Sequence, residues 1–364
     1  MDRYELFRRV TSDCIPLPQG GRLGACRACG CVQKVTDRAW QLEVQSIYNE
    51  YEIYHQGEGL EQAVFDLDSG HAWPRSVRLL ERLQCQVNLP TTGRLLDVGC
   101  GNGALLRAFS HFAPGWSLVG TELNDKYRSV VEEINGVEAL YTCLPNRVPG
   151  SYDLVTLIHV LEHIPAPIDF VRGLSRKLGP GGHLVIEVPD YLQNPFDLLI
   201  ADHCTHFTMN TLTELIKLAG FDVISAVTDW IPKELSVVAR KAEHPGDNNT
   251  QLVSHDSFES AAGSLRWLET VVATAYEISR AGHFGLFGTS IAATWLFTEL
   301  KGSVDFFVDE DPNRAGKTYL RHPVYHPIEI PYDSNVFIAL PGKLAEAVHR
   351  RVGRSGVTYH IPPS

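Results

Sequence analysis

The sequence predicts an α/β protein made of two doubly wound units, a larger central one and a smaller one near the C-terminal end. Three observations carry this. Leu95–Leu106 (LLDVGCGNGALL) runs two leucines into Asp97 and Val98, then Gly99, Gly101 and Gly103, then a helix-forming stretch, which reads as strand, tight turn, helix. Apolar runs of strand length alternate with helical stretches as far as Lys241. The alternation starts again at HFGLFGTSIAATWLFTEL, residues 283–300.

Size and composition agree. At 364 residues the chain exceeds one ordinary core, so two domains plus an appendage are expected. Apolar content of 44% and charged content of 21% suit a soluble globular protein. A formal net charge of −11 excludes a general nucleic-acid binder relying on phosphate attraction. MDRYELFRRV lacks the apolar run of a signal peptide, and nowhere do about 18 apolar residues follow one another, so the expectation is a cytoplasmic enzyme without a membrane partner.

Taken in order, residues 1–58 form an N-terminal segment holding four of the eight cysteines. In CRACG, Cys26 and Cys29 are spaced so that both thiolates can face one tetrahedral zinc ion. The second arm is poor: Cys14 stands alone, and Cys31, Asp13 and His55 compete for the remaining place. The metal-ligand candidates are therefore Cys14, Cys26, Cys29 and Cys31, with a structural role. Tyr48, Tyr51 and Tyr54 share a helical face, read first as packing and second as a lid offering a phenol. RSVRLLERL, Arg75–Leu83, is the helix before the first strand.

The central domain is expected over residues 59–242. WSLVGTELN makes a second strand ending at Glu122, about 20 residues past the glycines, where an acid accepts ribose hydroxyls. The acid Asp97, ahead of the glycines, would repel a pyrophosphate and hold an ammonium group, so the ligand carries an amino-acid end. The binding candidates are Asp97, Gly99, Cys100, Gly101, Asn102, Gly103, Glu122 and Leu123, with Tyr141–Leu144 bordering a base. Tyr152–Ile164 supplies the fourth strand, with His159 at its carboxyl end facing the ligand and Glu162 and His163 shaping the turn. Leu178–Asp190 is the next strand, and Thr208–Gly220 a helix capped near Thr208 and stopped by glycine. The loop ahead of it carries Asp202, His203 and His206; an imidazole with a neighbouring acid suits a general base. FDVISAVTDW and ELSVVARK close the sheet as an antiparallel pair.

Residues 243–254 read as a linker, and 255–364 as a long helix followed by the smaller unit. That unit has its own turn at Gly288–Ser290 suited to an anion, or serves for docking or dimerisation.

The D-x-G-x-G-x-G turn and D-x-V-x-x-x-x-V-L-E-H, Asp153–His163, resemble S-adenosylmethionine-dependent methyltransferases of the Rossmann-like class. With the cysteine segment and VDEDPNRAGK, the whole chain resembles the nucleotide-sugar C-methyltransferases of deoxysugar pathways. The resemblance implies S-adenosyl-L-methionine as donor, a nucleotide-sugar acceptor, structural zinc, a C-terminal module that helps hold the nucleotide, and His203 as base with Asp202 beside it. This chain departs from that pattern in having Asp202 where the family has Glu, and in lacking one cysteine of the first zinc arm. Two alternatives stand: O- or N-methylation of a different natural-product scaffold, and a non-catalytic scaffold protein that retains the donor site.

Overall fold

The first strands of the chain serve the loop that the sequence marks as catalytic. In the computed structural model, which describes residues 3–50, 61, 63–65, 72–242 and 257–363, β1 (Arg9–Val10) pairs with β2 (Pro16–Leu17), and β3 (Leu23–Ala25) with β4 (Val32–Lys34). The expectations at Tyr51, Tyr54, His55 and the 243–254 linker lie outside the described residues. α1 (Arg38–Glu50) follows, burying Trp40, Val44 and Ile47 on one face. The β5 (Ala63–Phe65) and β6 (Ala72–Pro74) hairpin leads into α2 (Arg75–Leu83).

The central elements are β7 (Arg94–Val98), α3 (Ala104–Phe112), β8 (Ser117–Thr121), α4 (Arg128–Glu132), β9 (Val137–Tyr141) and β10 (Tyr152–Ile158). They continue with α5 (Pro167–Leu174), β11 (Leu178–Pro189), β12 (Thr205–His206), α6 (Met209–Leu218), β13 (Phe221–Val227) and β14 (Glu234–Lys241). Seven strands form one sheet in the order β13-β14-β11-β10-β7-β8-β9. Its pairs are parallel except those of β14, which runs against both β11 and β13. Helices cover both faces, so the inner strands read as apolar runs such as Leu95, Leu96 and Val98. Thr208 caps α6 reciprocally with Thr211 (3.3 and 3.0 Å), and Gly220 at φ 90° ends it.

The last third comprises α7 (Ser257–Ser279), β15 (Phe284–Phe287), α8 (Ile291–Glu299), β16 (Phe306–Val308), β17 (Thr318–Tyr319), β18 (His322–Tyr325), β19 (Ser334–Ile338), α9 (Gly342–Val352) and β20 (Val357–His360). Its sheet runs β17-β18-β16-β15-β19-β20, parallel apart from the β17–β18 edge pair. The fold class is α/β with a large parallel-rich sheet and a second, smaller one.

Two features bring these parts together. β12 pairs antiparallel with β4, matching Thr205 to Gln33 and His206 to Val32, so the loop before α6 is stitched to the N-terminal segment. One continuous apolar core joins Tyr4, Phe7 and Val10 with Phe196, Leu198 and Leu199 and with Leu268, Trp295 and Leu296. Trp295 is fully buried, its ring 6.3 Å from Phe7 and 5.7 Å from Phe196. Trp295→Ala is therefore expected to cost about 3–5 kcal/mol, read as a lower denaturation midpoint for the whole chain. A midpoint unchanged from wild type would show that the three segments do not share this core.

Candidate active site

The turn after β7 is forced by backbone geometry. Gly99, Gly101 and Gly103 have φ of 69°, 56° and 80°, the left-handed region that side chains resist. A Cβ on Gly99 would also meet Val160 Cγ2 at 2.5 Å. Asp97, at the end of β7, is buried and accepts from Thr156 Oγ1 (2.6 Å). Burial pushes its pKa up to about 7, with Thr156 opposing and Glu122 adding to the rise. Glu122 stands at the tip of β8 and accepts from the Gly101 N–H (2.6 Å) and the Leu123 N–H (3.0 Å). The Leu123 side chain is 71% exposed, an apolar surface next to that acid.

Asp97, Gly99, Cys100, Asn102, Glu122 and Leu123 line a cavity of about 590 Å³ that continues past His159 to His203 and Asp197, whereas Gly101 and Gly103 are not in its wall. Its walls include Ser12 and Tyr48 from the N-terminal segment, and Ser290–Ala292 and Leu340–Pro341 from the C-terminal unit. Cys143, Leu144 and Pro145 border the end beside Leu123.

At the far end, one carboxylate holds two imidazoles. Asp197 accepts from His203 Nδ1 through Oδ1 (2.7 Å) and from His206 Nδ1 through Oδ2 (2.5 Å). All three side chains are buried. Burial opposes charge on Asp197, but the fields and hydrogen bonds of the two imidazoles hold its pKa well below the carboxylate range. The imidazoles differ. Burial lowers both, yet Asp197, Glu162 and Asp202 raise His203 above its ordinary value, while His206, facing Lys34 and His203, stays down at about 4.

The structure corrects the expected partner. Asp202 is turned toward the N-terminal segment, accepting from Ser12 N (2.9 Å) and Ser12 Oγ (2.5 Å), because its backbone is held there by the β1 and β4 contacts. The acid that grips His203 is Asp197, six residues upstream, which the loop pattern did not single out. His206 lies behind the site and is absent from the cavity wall. Glu162 and His163, read as turn-shaping residues, occupy a 3₁₀ turn at Leu161–His163 and also present donor atoms within 4.8 Å of His203. His163 packs edge-on against the His203 ring at 4.6 Å and its Nδ1 is 3.0 Å from Tyr48 Oη. Burial, with His203 adding, lowers His163 to about 4.

The cysteines do not assemble as a tetrahedral set. Among the described residues, Cys14, Cys26, Cys29 and Cys31 contribute to no group of three donors within 4.8 Å of one another. Cys26 and Cys29 are in thiol hydrogen-bond contact; the Cys29 and Ala28 amides, followed by the Cys29 thiol, lower Cys26. Burial raises Cys31 to about 12. As placed, the quartet does not fit zinc.

Residues 72–226 match a family model described as a methyltransferase domain. This segment is a methyltransferase domain. It carries β7 through β13 and with them the glycine turn, Glu122, His159, Asp197 and His203. A ubiquinone biosynthesis O-methyltransferase of Ralstonia nicotianae is 33% identical over 108 residues, 27% of this chain and 44% of that protein. A protein of the same name from Nitrosospira multiformis is 29% identical over 156 residues, 41% of this chain and 61% of that one. The chain thus spans about half the length of these relatives. The crystal structure of CalO1, a methyltransferase in calicheamicin biosynthesis with SAH bound, overlaps 46% of this chain and 53% of its own at 17% identity, with a TM-score of 0.38, too remote to carry an argument. No helix among the described residues is long and apolar enough to cross a membrane.

The methyltransferase domain owes its buried charge pair to Asp197, so Asp197→Asn is expected to cost about 3–5 kcal/mol. The sign with pH follows from linkage. His203 has a raised pKa, so its contribution is full below about 6.5 and lost as pH rises through the raised value. Asp197 has a lowered pKa, so its contribution is present above about 3.9 and lost as pH falls through the lowered value. Denaturation of wild type and variant should give a larger difference at about pH 6 than at about pH 9; a pH-independent difference would contradict the pairing.

Proposed function

We propose that the chain transfers a methyl group from S-adenosyl-L-methionine to a small-molecule acceptor, with His203 as the base and a nucleotide-linked sugar as the acceptor class. The observation that supports this is the single cavity running from the Asp97–Glu122 turn to the His203–Asp197 pair. The donor, when bound, supplies a methyl group on a positively charged sulfur. The glycine turn makes room for close backbone approach, and buried Asp97 suits the amino end of the donor. Glu122 is placed for the ribose hydroxyls and Leu123, with Leu144, for the base.

The acceptor lies between His159 and His203. His203 takes a proton through Nε2 while its Nδ1–H stays on Asp197, so the imidazolium formed is matched by a fixed carboxylate. For carbon methylation that proton comes from beside a carbonyl; for oxygen methylation it comes from a hydroxyl. The neutral imidazole is the working form, and a raised pKa means that activity climbs with pH through that value. The handle of a nucleotide-sugar is assigned to Ser290–Ala292, where the C-terminal unit reaches the cavity at the start of α8. The relatives' names support a second reading, O-methylation of an acceptor other than a nucleotide-sugar. Neither reading uses zinc.

Four measurements test this. Asp97→Asn, which preserves size, should weaken S-adenosylmethionine binding in calorimetry by about 10-fold or more; equal affinity would remove Asp97 from the donor site. With a panel of nucleoside-diphosphate sugars, binding of any one supports the handle, and binding of none favours the second reading. His203→Ala should lower turnover by about 10²–10⁴ with donor affinity kept. Asp197→Asn should move the rising limb of kcat/KM to lower pH, since it removes the group that raises His203.

A further inference from the structure

The cavity has a third region that neither donor binding nor the base uses. At the carboxyl ends of β10 and β11 and the amino end of β14, Glu187 is fully buried and Glu234 is 7% exposed. Arg75 joins them, Nε donating to Glu187 Oε1 (2.8 Å) and Nη2 lying 2.9 Å from Glu234 Oε1. Glu234 Oε2, buried in the cavity wall, has no hydrogen-bond partner. Facing it at 3.9 Å is His159 Nε2, also without a partner, which lies 3.7 Å from Glu187 Oε1.

His159 is held in this position at some conformational cost. Its φ is 55°, left-handed backbone in a non-glycine residue, and its Nδ1 contacts Glu162 Oε1 at 3.0 Å. Strained residues of this kind cluster where the aim of a side chain matters.

Glu61, Glu162, Glu187 and Glu234 are set against Arg75 and Lys233. Burial pushes Glu234 up to about 7 and Glu162 up to about 8, with Arg75 and His203 opposing these rises only in part. The region's positive charge therefore offsets the burial of these carboxyls only in part. Its open acceptor is the buried Glu234 Oε2 oxygen. A group that only donates hydrogen bonds and brings a positive charge satisfies both deficits, which describes an ammonium. A hydroxyl would bring no charge, and a carboxylate or phosphate would be repelled.

We infer that Glu234, with Glu187 and His159 beside it, holds the ammonium of an amine-bearing acceptor close to the atom that His203 deprotonates. This rests on the methyltransferase reading above and adds the substrate class: an amino-substituted ring, for example an amino sugar. Glu234 is a specificity residue for the acceptor and touches no part of the donor site.

The test uses the full chain saturated with S-adenosylhomocysteine and a matched pair of probes, cyclohexylammonium and cyclohexanol, titrated by ligand-detected NMR. Wild type should bind the amine about 10-fold or more tightly than the alcohol. Glu234→Gln should abolish that preference, and Glu234→Asp should keep part of it, with S-adenosylhomocysteine affinity unchanged in both, which also reports that they fold. Equal binding of the two probes by wild type, or an undiminished preference in Glu234→Gln, would overturn the subsite. Failure of wild type to bind S-adenosylhomocysteine would instead overturn the methyltransferase reading, while the amine preference would still be read on the chain alone.

Discussion

The bifurcated grip of Asp197 on His203 and His206 is the interaction on which the rest of the site depends. A buried carboxylate is tolerated only when it is paired and its lone pairs are used. Here two imidazoles use both oxygens, which fixes the loop between β11 and α6 at positions 197, 203 and 206 together. The same grip decides the protonation states: one imidazole on this carboxylate is raised by further acids and the other is kept neutral by burial and Lys34. A single acid therefore fixes the position of His203, the proposed base, and contributes most to raising its proton affinity.

That loop could not hold its shape alone, since it has only two residues of strand. The N-terminal segment splints it. Trp40 Nε1 donates to the Ala201 carbonyl (3.0 Å), Lys34 Nζ donates to the Ile200 carbonyl, Ser12 donates twice to Asp202, and β4 supplies the ladder for β12. The CRACG stretch sits in the turn between β3 and β4. A perturbation of those thiols therefore reaches the base through one hairpin, whatever the thiols bind.

What the sequence made legible was local. The strand, glycine turn and helix at 94–112, the Arg75–Leu83 helix and the capped helix after Thr208 all follow from residues within a few positions of one another. The acid at Glu122 was legible because its distance from the glycines is a property of one strand-helix-strand unit. The choice of Asp202 over Asp197 failed for the opposite reason. Adjacency to His203 suggested a pairing that the N-terminal segment, 190 residues away, had already claimed for Ser12. Arg75 and Glu187 lie 112 residues apart, and no period or spacing connects them. Tyr48 was read as a packing residue with a lid as the lesser option; its hydroxyl at His163 shows that one face of α1 reaches the cavity.

The division between legible and illegible parts follows the chemistry. The glycine turn, Asp97 and Glu122, where we propose that the donor binds, lie within residues 72–226, and the curated relatives align over 108 and 156 residues. The same cavity is also walled by Ser12 and Tyr48 from before that domain, by Lys233 and Glu234 just past it, and by Ser290–Ala292 and Pro341 from the C-terminal unit. A protein that shares only the central domain shares none of these walls. Under the proposed reading its name therefore carries little about the acceptor of this chain. The acidic floor around Glu234 is the part of that wall with the clearest chemical demand, because a buried carboxylate with one oxygen unpartnered favours a charged donor over a neutral group of similar shape.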